Sequence, residues 1–224
     1  MSKATWLLVL STLTLSMASC KWEAKFDYGS AVYSDDDTAV AAVKHTCEER
    51  QTLGNFYESR NHKVQILSGN PVSGSTLTPV GTPRAGNLRD LFYMKSKGYY
   101  LLGRGTEAGA PHTSTYEKIS LSGQVTNIIT LEADIESPTY QGPLPNQLRV
   151  IPNPSGEALG MMTVSLIGSD LEVEISILDA DTLSVLGGPW LVTATSIMPG
   201  GLAWIDDNVL MLGSSGANPF GPGA

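Results

Sequence analysis

The sequence predicts an all-β chain made from one four-stranded unit repeated along its length. Three observations predict it. First, an apolar stub, a polar turn and a second apolar run recur four times, in residues 32–40, 92–100, 150–158 and 203–210. The turns read Asp35-Asp36-Asp37, Lys95-Ser96-Lys97-Gly98, Asn153-Pro154-Ser155-Gly156 and Asp206-Asp207-Asn208. Second, the closing residues Asp37, Gly98, Gly156 and Asn208 are of types that tolerate the left-handed backbone of tight hairpins, and they lie 61, 58 and 52 residues apart. Third, Glu172-Val173-Glu174-Ile175-Ser176-Ile177 alternates with a period of two, and no long amphipathic helix pattern follows the leader. A repeat of this size marks one copied supersecondary unit.

The bulk properties agree. The 224 residues suffice for one large domain or two small ones, and 42% hydrophobic against 16% charged content can bury a core. The 23 glycines and 13 prolines suit hairpins. A formal net charge of −8, or −9 without Lys3, disfavours nucleic acid, which needs a basic footprint. The acidity reads most simply as solubility.

Residues 1–19 read as a signal peptide. Lys3 gives a small positive start, residues 6–15 an apolar stretch too short to span a bilayer, and small residues follow. Ser16-Met17-Ala18 fits ordinary cleavage, which would release a soluble secreted or periplasmic protein. Met17-Ala18-Ser19-Cys20 resembles the lipobox of bacterial lipoproteins, with Met where Leu is commonest. That resemblance implies a lipidated Cys20, a membrane anchor and a cell-envelope location. Lys21 after the cysteine leans toward the outer membrane under the enterobacterial sorting rule. With a lipidated Cys20, Cys47 is a lone thiol; without it, a Cys20–Cys47 disulfide is open. Residues 20–30 are expected to be an anchor or linker segment.

A second turn follows each of the first three, at Ser68-Gly69-Asn70, Ser122-Gly123 and Asp179-Ala180-Asp181, and each precedes another β-rich run. Each unit is therefore strand, tight turn, strand, loop, strand, tight turn, strand. Residues 31–213 so resemble a β-propeller, without a Gly-His…Trp-Asp or double-glycine signature. The expected blades are 31–85, 86–143 and 144–197, with a partial fourth at 198–213 and a Gly/Pro-rich tail at 214–224. A β-sandwich is the alternative. Stopping mid-blade leaves open edges, so the chain is expected to be a piece of a longer propeller, or to be closed by partners, and to be marginally stable alone.

In such units the tight turns gather at one end and the connections at the other. The connections are expected to be long, at 47–61, 74–87, 105–115 and 137–147, and loops on a rigid scaffold commonly bind. Arg84, Arg89, His112, Tyr140 and Arg149 are the candidate binding residues there. Asp35-Asp36-Asp37 lacks the spacing of a calcium loop and reads as a solvated turn. His45 and Cys47 share a strand face, yet two ligands do not make a zinc site. No cofactor or metal is expected, because no phosphate loop, dinucleotide fingerprint or nucleophile elbow occurs. The expected function is a binding or scaffolding module with a protein or glycan partner. A propeller-class glycan hydrolase or lyase is the alternative, as is a fragment without function of its own.

Overall fold

The computed structural model describes residues 21–51, 57–70, 76–105, 112–133, 148–167, 170–194 and 197–217. They form four antiparallel meanders in chain order. The first sheet is β1 (Glu23–Tyr33), β2 (Val40–Gln51), β3 (Tyr57–Gly69) and β4 (Thr78–Ala85). The second is β5 (Asn87–Met94), β6 (Tyr99–Gly105), β7 (His112–Ser120) and β8 (Val125–Ala133). The third is β9 (Leu148–Pro152), β10 (Ala158–Ile167), β11 (Asp170–Asp179) and β12 (Val185–Ala194). The fourth has β13 (Ile197–Trp204) and β14 (Leu210–Ala217). The fold is thus an all-β, propeller-like array of three complete four-stranded sheets and a partial fourth, with no helix among the described residues.

The sheets stack face to face, and alternation along each strand supplies the two faces. Ala41, Val43, Val64 and Ile66 of the first sheet meet Leu91, Tyr100, Leu102 and Ile119 of the second. On the opposite face of the second sheet, Tyr99, Leu101 and Tyr116 meet Leu148, Val150, Leu159 and Leu178 of the third. A third core joins Met162, Val164 and Val173 to Leu202, with Trp204, Leu210 and Leu212 packed against it. Strand β6 is therefore buried on both sides, and its run Tyr99-Tyr100-Leu101-Leu102 is apolar without a break for that reason.

Left-handed closing residues occur in three of the four first turns, with φ of 56° at Asp37, 78° at Gly98 and 72° at Gly156. Asn208 is not among them. Its turn is closed by Asp206, whose Oδ1 accepts from the backbone N–H groups of Asn208 at 2.7 Å and Val209 at 2.9 Å. Neighbouring turns are also tied together. The backbone N–H of Ser96 donates to Asp35, Lys97 Nζ lies 2.7 Å from Glu157, and the backbone N–H of Ser155 donates to Asp207 at 2.7 Å.

Strands claim several segments expected to be loops. β1 begins at Glu23, and residues 23–28 pair with β2 ahead of a bulge before Ala31, within the segment expected to be an anchor or linker. Most of 47–61 is a two-stranded ribbon, with Glu49 opposite Ser59 and Arg50 opposite Glu58. Trp22 lies beneath the guanidinium groups of Arg50 and Arg60, 4.7 and 4.0 Å from its ring centre. Within 74–87, Thr78–Ala85 is β4, which leaves the single residue Gly86 between the first and second sheets. The proline-containing run forms a strand because it lies at a sheet edge, where an absent N–H breaks no ladder bond.

Candidate functional site

Four of the five candidate binding residues lie on strands rather than on loops: Arg84 on β4, Arg89 on β5, His112 on β7 and Arg149 on β9. His112 opens β7, and its side chain lies outside the described residues, as do Tyr140 and Cys20. The three arginines share the end of the array where those strands meet the inter-sheet connections. There Arg84 and Arg149 are drawn into two ion-pair clusters on opposite faces of the second sheet.

On the face toward the first sheet, Glu117 is 4% exposed. Its Oε1 accepts from Arg104 at 3.0 Å, and its Oε2 lies 3.7 Å from Arg84 Nε. Arg104 also donates to the carbonyl of Ala85 at 2.6 Å, which ties β6 to the end of β4. The pairing is needed because an unpaired buried carboxylate costs several kcal/mol (order of magnitude).

On the face toward the third sheet, Asp90 accepts from the hydroxyl of Tyr116 and lies 3.4 Å from Arg149. The register of β5 against β6 shifts between Leu88 and Asp90, placing Arg89 at a bulge. Gly103 makes room for this cluster: a Cβ there would lie 2.6 Å from Tyr116 Cε1. Burial first, and then the Asp90 charge, pushes the Tyr116 phenol well above its ordinary range. A Cβ on Gly201 of β13 would lie 3.4 Å from Arg149 Nη1, so this arginine reaches from the third sheet toward the second and the fourth.

The sequence reading missed Arg104, Glu117, Asp90 and Tyr116. A signal for Glu117 was present, since it falls on the inward face of β7 with Thr115 and Ile119. The glycines flanking Arg104, at 103 and 105, were another, because glycine inside a strand marks close approach. Elsewhere His45 and His62 stack with ring centres 5.0 Å apart and share a 2.9 Å hydrogen bond, which His62 extends to Ser59. Among the described residues no three His, Cys, Asp or Glu side chains gather as a metal site.

The opposite end, where the tight turns lie, carries a cleft of about 470 Å³ between the first and second sheets. Tyr93 and Tyr100 form its floor, their rings stacked 4.4 Å apart. Burial lifts the Tyr100 phenol far above its usual value. Lys95 stands on the rim, held by Asp36 and Thr38. The outer rim is sealed by backbone against backbone, since a Cβ on Gly123 would fall 2.3 Å from Gly81 Cα. Both glycines have positive φ, +65° and +89° for Gly81 and Gly123, so neither position accommodates a side chain. The sequence reading placed binding at the other end, and this cleft was not foreseen.

The residues thus define a class by architecture, a propeller-like stack of antiparallel sheets with neutralised ionic clusters at one end and a polar cleft at the other. No protein-family model, curated protein or solved structure matches the chain.

Proposed function

We propose that this chain is a binding or scaffolding module held at the cell envelope by a lipidated Cys20, with the outer membrane as its location and a protein or glycan as its partner. The observation that supports binding over hydrolysis is how the inter-sheet carboxylates, buried Glu117 and half-buried Asp90, are used. Glycan hydrolases set two carboxyl groups facing one bond, about 5 to 9 Å apart. Glu117 and Asp90 instead lie on opposite faces of one sheet, each beside an arginine. Their role is to hold sheets together, and rigid sheets are what a binding surface needs. The anchoring half of the proposal rests on the leader and on Met17-Ala18-Ser19-Cys20.

Two measurements on the full chain expressed in a bacterial envelope test it. Intact mass of the mature protein is expected to show a diacylated Cys20 as first residue; an unmodified N-terminal Ser19 would overturn the anchor, leaving the secreted form. Incubation with purified envelope glycan is expected to release no fragments. Cleaved or unsaturated products would instead establish a hydrolase or lyase.

A further inference from the structure

The cleft between the first and second sheets has a lining that selects among ligand classes. Its formal charge comes from Lys95, whose ammonium is already engaged by Asp36 and Thr38. Among the described residues, the lining holds no carboxylate. A phosphate or carboxylate ligand would want uncommitted cations, and a hard metal ion would want carboxylate oxygens. An acyl chain would want a continuous apolar wall, whereas here short apolar surfaces from Pro79, Val80 and Leu121 are interleaved with polar groups.

Those polar groups are mainly hydroxyls, and those of Ser68 and Thr78 have their protons engaged. Ser68 Oγ donates to the carbonyl of Val40 at 3.3 Å, and Thr78 Oγ1 donates to the carbonyl of Ser68 at 3.2 Å. A hydroxyl that has given its proton keeps two lone pairs. The wall is therefore rich in acceptors and nearly neutral. It suits a neutral ligand rich in O–H donors that also carries C–H surface. The volume lies within the span of small-molecule sites, roughly 300 to 1,000 Å³, and the floor and one wall, from Tyr93, Tyr100, Ser68 and Thr78–Gly81, lie on paired strands, with turn residues at the rim.

We infer that this cleft binds a neutral saccharide, whose hydroxyls donate to Ser68 and Thr78 and whose C–H faces rest on Pro79 and Leu121. The inference rests on the reading of the chain as a binding module, and it narrows the partner to a sugar.

The test is titration of the isotope-labelled mature chain with methyl α-D-glucopyranoside, N-acetylglucosamine and maltose, followed by amide NMR, with inorganic phosphate as a parallel titrant. At least one sugar is expected to give saturable shifts at Ser68–Asn70, Thr78–Gly81 and Leu121–Ser122, with a Kd of about 1 mM or tighter. Thr78→Trp, on an exposed edge residue, is expected to fill the cleft and weaken binding about tenfold or more. Ser122→Tyr, on an exposed turn, serves the same purpose if the first variant does not fold. No saturable shift with any sugar up to about 50 mM, weaker than any specific site, would overturn the inference. So would saturable shifts confined to other regions. Saturation of the cleft by phosphate and by no sugar would overturn the saccharide class while leaving the binding-module reading intact.

Discussion

Gly103→Ala is expected to destabilise the chain far more than an alanine in a strand normally would. The added Cβ would lie 2.6 Å from Tyr116 Cε1 and 2.9 Å from Cζ, inside any real carbon contact. The ring has nowhere to retreat, because Tyr116 is 1% exposed and packed in the core between the second and third sheets. Overpacking of this kind costs about 1–3 kcal/mol. Displacing the ring also pulls the hydroxyl from Asp90, and a hydrogen bond to a charged group contributes about 1.5–3 kcal/mol. Replacing glycine returns about 0.4–1 kcal/mol through the unfolded state. The net loss is about 1.5–5.5 kcal/mol. With a urea slope near 2 kcal/mol/M, the unfolding midpoint should fall by about 1–3 M. The comparison is Gly213→Ala in β14, where the new Cβ would meet only the Gly201 carbonyl at an ordinary 3.8 Å. Urea titration followed by circular dichroism compares the two. A Gly103→Ala midpoint equal to that of Gly213→Ala would refute the steric reasoning.

Glu117→Leu should cost about 3–5 kcal/mol, because it strands Arg84 and Arg104 beside an apolar group; the triple replacement of all three by apolar residues should recover much of the loss in the same urea assay. Stability should fall as pH rises above about 10, since burial raises the phenols of Tyr99, Tyr100 and Tyr116 above their ordinary 10.0 while the unfolded chain ionises there. The last part of the tyrosinate absorbance, that of these three buried phenols, should appear together with loss of β signal, and ionisation of all eight tyrosines in a still-folded chain would contradict this. On the acid side, hydrogen bonds from Ser34 and Thr38 hold Asp36 well below its ordinary 3.8, and the Thr182 backbone and hydroxyl do the same for Asp179. Their stabilisation is present above that value and is lost as pH falls below it, so an acid melt should steepen below pH about 4 and flatten in Asp36→Asn. Burial first, and then the Glu49 charge, raises the Cys47 thiol above 9.0; alkylation at pH about 8 should be slow in the native chain and fast in urea.

The repeat was legible because it is written in backbone chemistry. Gly98 and Gly156 carry positive φ for the reason their residue type suggests, and Asp37 joins them. Asn208 was misjudged because an Asx turn through Asp206 does the same job with ordinary φ, and one sequence is compatible with either. Strand ends were less legible. Thr78-Pro79-Val80-Gly81-Thr82-Pro83 has the composition of a loop, and only its place at a sheet edge makes it a strand. Pairing was least legible of all. Arg84 and Glu117 sit on different sheets, as do Arg149 and Asp90, and nothing local in the sequence announces a partner across an inter-sheet core. The cleft was hidden for the same reason, since its floor, Tyr93 and Tyr100, belongs to the second sheet and one wall to the first.

The double burial of β6 has a consequence for the order in which the structure comes apart. Its residues are locked by one core on each side, whereas the first and fourth sheets each share a core with a single neighbour. Removal of the fourth sheet costs one interface and leaves a smaller stack intact; removal of the second would cost two and divide the molecule. Amide exchange should therefore be slowest at Tyr100–Leu102 and progressively faster toward both termini, as in repeat arrays where each unit leans only on its neighbours. The chain would shed sheets inward from its ends, with the second and third sheets as the last parts to let go.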